Sequence, residues 1–553
     1  MRKSTKIAVV LAAAALLVAG FAFTTLAKGW VKEAEGLYYY EDAEGMKVYN
    51  EWKKDTDPAT GVVNYYYLGD DGYMVTNTLV ETDGYKYWCG ADGAKVVNAW
   101  IQVPADDDEQ ESLGVDFRWY RFNKNGQAVK GMQTIDSKKY FFDDDCKMVY
   151  GYVAYDADKK TVTNWTTKVK DAYDTAEYQY FCQSNDEGWA VTSMWRNESI
   201  DESTATYEDS TTFWAFYQSN GKRAVANTAG YLWNGVRYFF DSNGVMLHGW
   251  ETAFRSGEDN ATYSVAEYYG DADDGKKVKK AWAYIKPSAG GDDKFWFWFD
   301  NTGAALAKAG VYKINSKFYA FGKPVDDASK MLSGPVMVTF TVGSSDVVTE
   351  ATGAEKISSE LKGKTLDQWL ATDINDVDRD GVEGYVYYFS GDEANDGSMK
   401  KNVTFSQEFL DDTYTLAVGT DGRLKNGFVE KEKKYYRNGY LLKAAEDMRY
   451  EFVKVWDNAG NEKYVLLSTS GAAVTSGTVT DADGSYFYVD KTTGNTYYAD
   501  SSLPSASKAI SAFKKSGKNG EAKIEGTTYY VWVEEYAGQE NIFKLSLKTS
   551  KQP

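Results

Sequence analysis

Histidine is nearly absent from this sequence: His248 is the only one in 553 residues. A Ser-His-Asp or Cys-His centre would have to use that one residue, and no partner constellation accompanies it. Cysteine is scarce and odd in number (Cys89, Cys146, Cys182), which excludes a dense disulfide scaffold and leaves room for one bridge. No pair of these cysteines has metal-ligand spacing. Only 7 prolines occur, so the 49 glycines serve turns and not a Pro-rich linker. Positive charge is also short: 62 Lys and Arg face 81 Asp and Glu, a net charge of -19. That balance argues against binding nucleic acid or anionic lipid, and suits a neutral glycan or a cationic ligand.

Long apolar runs are lacking after the first turnover of sequence. The exception is Ile7 to Leu26, which follows Arg2, Lys3 and Lys6 and ends at Thr25-Leu26-Ala27. It reads as a signal peptide over 1-27, with cleavage after Ala27. Uncut, a segment of this length would anchor in a membrane. The final TSKQP carries no apolar tail or sorting motif, so export without covalent anchoring is expected, with membrane contact only through the N-terminal segment.

What the chain has in abundance is aromatic rings, 16% of residues, including 44 Tyr. Rings pack well on pleated strands, which favours β structure. They recur in a unit: an aromatic run, a turn ending in Gly, then a short strand. YYYLGDDGYMV, WYRFNKNGQAV and YFFDSNGVML are examples. The turns include Asp71-Gly72, Asp92-Gly93, Asn125-Gly126, Asn220-Gly221, Asn243-Gly244, Asp274-Gly275, Asp421-Gly422 and Asn438-Gly439. Such dipeptides predict type I′ hairpin turns, with φ > 0 at both central residues. In YFFDDDCKMV the glycine place is taken by Cys146, which predicts a distorted turn or a partner for the thiol.

A longer period relates Trp100 to Trp195 and Trp119 to Trp214, each 95 positions apart; a looser third copy places Trp282 and Trp296. The acidic or Gly-rich insertions between them (PADDDEQESLG, KPSAGGDD) read as protruding loops or hairpin tips. A lone hairpin is marginal in water, so its rings need covering by the next. The expected fold is all-β: a solenoid of stacked aromatic β-hairpin repeats with long insertions, plus a small mixed α/β insertion.

The stretch from Tyr238 to Trp250, YFFDSNGVMLHGW, resembles the cell-wall-binding repeat of Gram-positive surface proteins. That family includes choline-binding and glucan-binding repeats and is similar to the C-terminal repeats of large clostridial toxins. The matching pieces are Tyr238-Phe239-Phe240, Asn243-Gly244, Met246 and Gly249-Trp250. The resemblance covers roughly 29 to 330 and, more loosely, 384 to 500. It implies ligand held between hairpins by rings: a Trp seven residues before the turn Gly and another six after it. Trp119, Trp214 and Trp296 hold the first place. Trp250 holds the second, whereas Trp52, Trp100, Trp195 and Trp282 fall one residue late. A one-residue shift puts a strand residue on the opposite face unless a bulge absorbs it, so the spacing fits a degenerate or carbohydrate-directed repeat better than a choline-directed one. The candidate stacking residues are Trp100, Trp119, Trp195, Trp214, Trp250, Trp282, Trp296, Tyr238 and Met246, with the pairs Trp100/Trp119, Trp195/Trp214 and Trp282/Trp296 foremost. A tryptophan in such a solenoid more often serves the core than a ligand platform.

Beyond the signal, the expected divisions are a repeat array over 28-332, a non-repeat insertion over 333-383, degenerate hairpins over 384-502 and a cap over 503-553. The insertion predicts a short helix capped by Thr365 with Leu366, Trp369 and Leu370 on one side. Asp376, Asp378 and Asp380 imitate the start of a calcium loop, but its last position is Tyr387, where a bidentate Glu is needed; neither metal nor cofactor is expected. KAISAFKKSG reads as helical. No stretch is left to hold a catalytic domain. The expected function is an exported, non-catalytic protein attached noncovalently to cell-wall polymer or glucan, choline-bearing polymer included, at a Gram-positive cell surface. The alternatives are a toxin-like protein binding host glycans, or the targeting part of a wall hydrolase.

Overall fold

The computed structural model describes residues 29-33, 35-56, 61-169, 177-199, 212-256, 262-325, 328-341, 347-372, 382-390, 396-458 and 460-553. The expected signal segment, 1-27, and the Asp376-Asp380 loop lie outside the described residues. Among them the chain is a succession of small antiparallel sheets, mostly of two strands. Sheets this small have little interior of their own, so the core forms where the rings of one hairpin meet the next.

The chain divides into two compact units, Met1–Gly249 with Tyr269–Lys277, and Trp250–Tyr268 with Val278–Pro553. In the first, Glu51–Thr56 pairs with Val63–Leu68, Trp100–Pro104 with Phe117–Arg121, and Met194–Ser199 with Thr212–Tyr217. Between them stand the tighter hairpins Thr78–Thr82 with Tyr85–Cys89 and Gly131–Ile135 with Lys138–Phe142. Tyr231–Trp233 pairs with Val236–Tyr238 after the third wide hairpin. In the second unit, Ala281–Ile285 pairs with Phe295–Phe299, and Gly310–Ile314 with Lys317–Val325. That unit ends in a six-stranded sheet running from Gly477–Thr480 to Gln539–Lys548, with Thr496–Ala499 parallel to the last strand. The helix Ala506–Ser516 packs on it through Ala509 and Ile510. The division expected at 502/503 falls inside this sheet.

The turns differ from the type I′ expectation. Of the eight Asn-Gly and Asp-Gly sites, only Asn438-Gly439 has positive φ at both residues (49° and 86°). Elsewhere only the glycine is left-handed; its N–H closes a four-residue turn at six of these sites, as from Gly126 to the Asn123 carbonyl (2.9 Å), and a five-residue one at Gly275, to the Asp271 carbonyl (3.1 Å). The residue opening the turn supplies the second lock. Asn123 Oδ1 accepts from the N–H of Asn125 (2.8 Å) and Gln127 (3.1 Å), and Asp241 Oδ1 from Asn243 and Val245 (both 2.8 Å). Positive φ at both residues, as type I′ requires, occurs inside the tight hairpins, at Asp83-Gly84 and Asn234-Gly235.

The turn at Cys146 is not distorted. Cys146 sits at φ 67°, and its N–H reaches the Asp143 carbonyl at 3.0 Å, as glycine does in the other units. Its thiol is buried and faces the Ala128 carbonyl at 3.9 Å. All three cysteines are free and buried. Burial pushes the Cys89 thiol up to about 12.

The insertion after Trp100 is a helix and not a bare loop. Asp107–Leu113 starts from a capping box made by Asp106 and Glu109. Glu109 then holds Arg118 and Lys147 (2.5 and 2.7 Å), which docks the helix on the hairpins. Sequence reading took DDDEQES for loop acidity, but acidic residues in a first helical turn also favour the helix. The helix Leu366–Ala371 has its expected Thr365 cap, completed by Gln368, and buries Leu366 and Trp369.

Candidate aromatic cages

The three tryptophan pairs come together in the same way. In each wide hairpin the first Trp sits diagonally across from the second, on one face: Trp100 pairs in register with Arg121 and Trp119 with Gln102. Likewise Trp195 pairs with Phe216 and Trp214 with Asn197, and Trp282 with Trp298 and Trp296 with Tyr284. The ring centroids lie 6.1, 6.4 and 6.4 Å apart, and the rings are close to perpendicular (89°, 78° and 87°).

The feature that puts them on one face is a left-handed residue two places before each late tryptophan. Asn50, Asn98, Ser193 and Lys280 have φ between 45° and 52°, ahead of Trp52, Trp100, Trp195 and Trp282. The N–H of each donates to the carbonyl at the start of the next turn: Gly69, Asn123, Gln218 and Asp300. The residue reverses the strand's facing and cancels the one-residue shift. At Trp250, which comes one residue earlier, Gly249 (φ 68°) makes the same bond to Gly270.

A tyrosine from the following hairpin makes the third wall. Tyr140 stands 5.0 Å from Trp100, Tyr238 4.8 Å from Trp195 and Tyr319 4.8 Å from Trp282. A phenylalanine two residues on lies under the first Trp: Phe142, Phe240 and Phe321, at 5.6 to 5.8 Å and 9° to 30°. Methionine packs beside each group, as Met148, Met246 and Met331. The six paired tryptophans are half-buried, whereas Phe142, Met148, Phe321 and Met246 are buried. Each cage thus has a packed floor and partly open walls.

Trp195, Trp214, Tyr238 and Met246 therefore share one site. Trp250 does not join a comparable one. The place diagonal to it is Ala266, its ring packs on Phe297 and Phe299 (5.0 and 5.5 Å), and its Nε1 donates to the Lys286 carbonyl at 2.7 Å. Sequence reading missed Tyr140 and Tyr319. Their signal was present: KYFF and FYAF repeat the Tyr-x-Phe spacing of Tyr238-Phe239-Phe240.

Charge differs between the cages. Trp214 Nε1 donates to Asp273 (2.9 Å), which brings a carboxylate to the rim of the Trp195 cage. Arg121 lies 6.0 Å over Trp100. Among the described residues no lysine or arginine lies over the rings of Trp195, Trp214, Tyr238, Trp282, Trp296 or Tyr319. Perpendicular rings with open walls can surround a compact cation or clasp the edge of a sugar.

Two segments match the choline-binding repeat family, residues 62–95 and 129–161. The chain carries repeats of this type. It is 33% identical over 104 residues to glucosyltransferase-S of Streptococcus mutans, covering 17% of this chain and 7% of that enzyme. It is 23% identical over 527 residues to glucosyltransferase-I of Streptococcus downei, covering 90% of this chain and 25% of that enzyme. The chain spans a quarter or less of the length of the curated relatives it matches. Similar solved structures include CbpJ of Streptococcus pneumoniae (16% identity, TM-score 0.35, 68% of this chain and 100% of that one). The modular autolysin LytC of the same organism is another (16% identity, TM-score 0.30, 57% and 54%).

Proposed function

We propose that this chain is an exported, non-catalytic binding protein that attaches noncovalently to a Gram-positive cell wall. Its cages at Trp100, Trp195 and Trp282 take quaternary ammonium groups, such as the choline of a wall polymer. The observation that carries this reading is the recurrence of one arrangement: two perpendicular tryptophans, a tyrosine and a methionine, built from three separate hairpins. A flat sugar platform does not need perpendicular walls, whereas a trimethylammonium ion gains from a ring on each side. The acidic chain attracts such a cation. A cage of this kind supports a Kd on the order of 1 mM, about 4 kcal/mol. Three cages on one chain raise attachment to a polymer by roughly 10²-fold to 10⁴-fold.

Co-sedimentation of the chain with purified Gram-positive walls tests the reading, with free choline or soluble glucan as competitor. Release by millimolar choline is expected. Release by glucan alone would reassign the rings to carbohydrate, and failure to sediment with any wall would overturn wall attachment.

A further inference from the structure

A fourth cage is present and is already filled by the protein itself. Trp52 lies 5.3 Å from Tyr87 of the following hairpin. Tyr65 pairs in register with Lys54, so it holds the diagonal place that Trp119 and Trp214 hold. The residue in the methionine place is Lys95. Its N–H donates to the Tyr65 carbonyl at 2.7 Å, just as Met148 donates to Trp119 and Met246 to Trp214 (both 2.8 Å). The turn glycine packed against its stem is also equivalent. A Cβ on Gly126 would meet Lys95, and one on Gly188 or Gly275 would meet Met148 or Met246.

The Lys95 ammonium stands 4.5 Å from the centre of Tyr65, 5.2 Å from Trp52 and 5.5 Å from Tyr87. Among the described residues its side chain makes no salt bridge and no hydrogen bond, so the three rings are what it engages. Burial holds its pKa below the usual lysine value. An ammonium that leaves water without a carboxylate needs another source of stabilisation, and ring faces provide one.

Resting on the cage reading proposed above, we infer that Lys95 is a tethered ligand that closes the Trp52 cage, and that the cage is a latent quaternary-ammonium site. A tethered cation competes at an effective concentration of millimolar or higher. Free choline of millimolar affinity therefore does not displace it. Removing the charge and keeping an unbranched stem, as in Lys95→Met, copies the arrangement at Met148 and Met246 and opens the cage.

Equilibrium dialysis of the full chain with labelled choline reads the result. Lys95→Met is expected to bind one more choline per chain than the unaltered protein, and Lys95→Met combined with Trp52→Ala to lose that gain. Equal stoichiometry, with binding by the unaltered chain intact, would overturn the inference and leave the proposed function standing. Binding by Lys95→Met alone would support the inference and remove the cages at Trp100, Trp195 and Trp282. Binding by neither would overturn both. A second measurement needs no stable variant. After reductive methylation of the lysines, the Lys95 dimethylammonium carbon-proton signal is expected far upfield, because three rings shield it. A spectrum without any such shifted signal would place the ammonium outside the cage and overturn the inference.

Discussion

Asp241 illustrates how a side chain that shapes a turn can cost stability. Its carboxylate accepts two turn N–H groups, yet burial raises its pKa above the ordinary 3.8. A carboxylate raised in the folded state contributes stability below the unfolded value and loses it as pH rises through the folded value. Asn123 does the same work in another turn with no charge to bury. Asp241→Asn is therefore expected to raise the melting temperature at pH 7, with the advantage shrinking below pH of about 4. Thermal scans of both proteins across pH 3 to 8 check this. At this scale the sequence was readable in part. Asp-x-Asn-Gly announced a turn, but its dihedrals depend on how far the strand pairing continues toward the turn. That is why glycine alone is left-handed at most of these sites. At Cys146 the turn keeps its form and the thiol finds a partner in the Ala128 carbonyl, because a fixed hairpin on each side imposes φ > 0 even where a side chain opposes it.

At the scale of the element, facing is set by one residue ahead of each wide hairpin. Ser193 is exposed and left-handed at φ 48°. Ser193→Gly is expected to be close to neutral. Ser193→Val should cost about 1 to 2 kcal/mol, because a β-branched residue resists this conformation. The valine variant should also weaken choline binding by one site, since Trp195 turns away from Trp214; calorimetric denaturation and dialysis read the two effects. The tryptophan positions were legible from the 95-residue period, and their pairing followed from it. Their common face was not, because an αL serine or lysine carries no composition signal comparable to glycine. The place two residues after the turn behaves differently from one hairpin to another. There Arg223 is buried and paired with Glu198 at 2.6 Å, and Tyr217 donates to the same carboxylate at 2.8 Å. Arg223→Met would leave Glu198 buried with only the longer contact to the half-buried Arg196 (3.4 Å), and a loss of about 3 kcal/mol in denaturant unfolding is expected.

For the molecule as a whole, binding and stability are linked. A ligand that occupies only the folded cages stabilises each by about 2.7 kcal/mol at one hundred times its Kd. Saturating choline is therefore expected to raise the melting temperature. Trp195→Ala or Trp282→Ala should each lower that increment without abolishing it, as differential scanning calorimetry would record. If both single variants retained the full increment, ligand would have to bind away from those cages. The repeated array was visible in the sequence because hairpins are local and their rings recur. The six-stranded sheet at the end was not. Its parallel pairing of Thr496–Ala499 with Gln539–Lys548 joins segments separated by a helix and two further strands, which no short pattern records.

The place shared by Lys95, Met148 and Met246 has a consequence for how such arrays change over generations. The codons AAG and ATG, for lysine and methionine, differ by a single base. From an AAG codon, one point mutation there exchanges a built-in cation for a neutral thioether while the turn, the strand pairing and the neighbouring glycine stay as they are. The valency of the array can thus drift upward or downward by whole units without any hairpin being gained or lost.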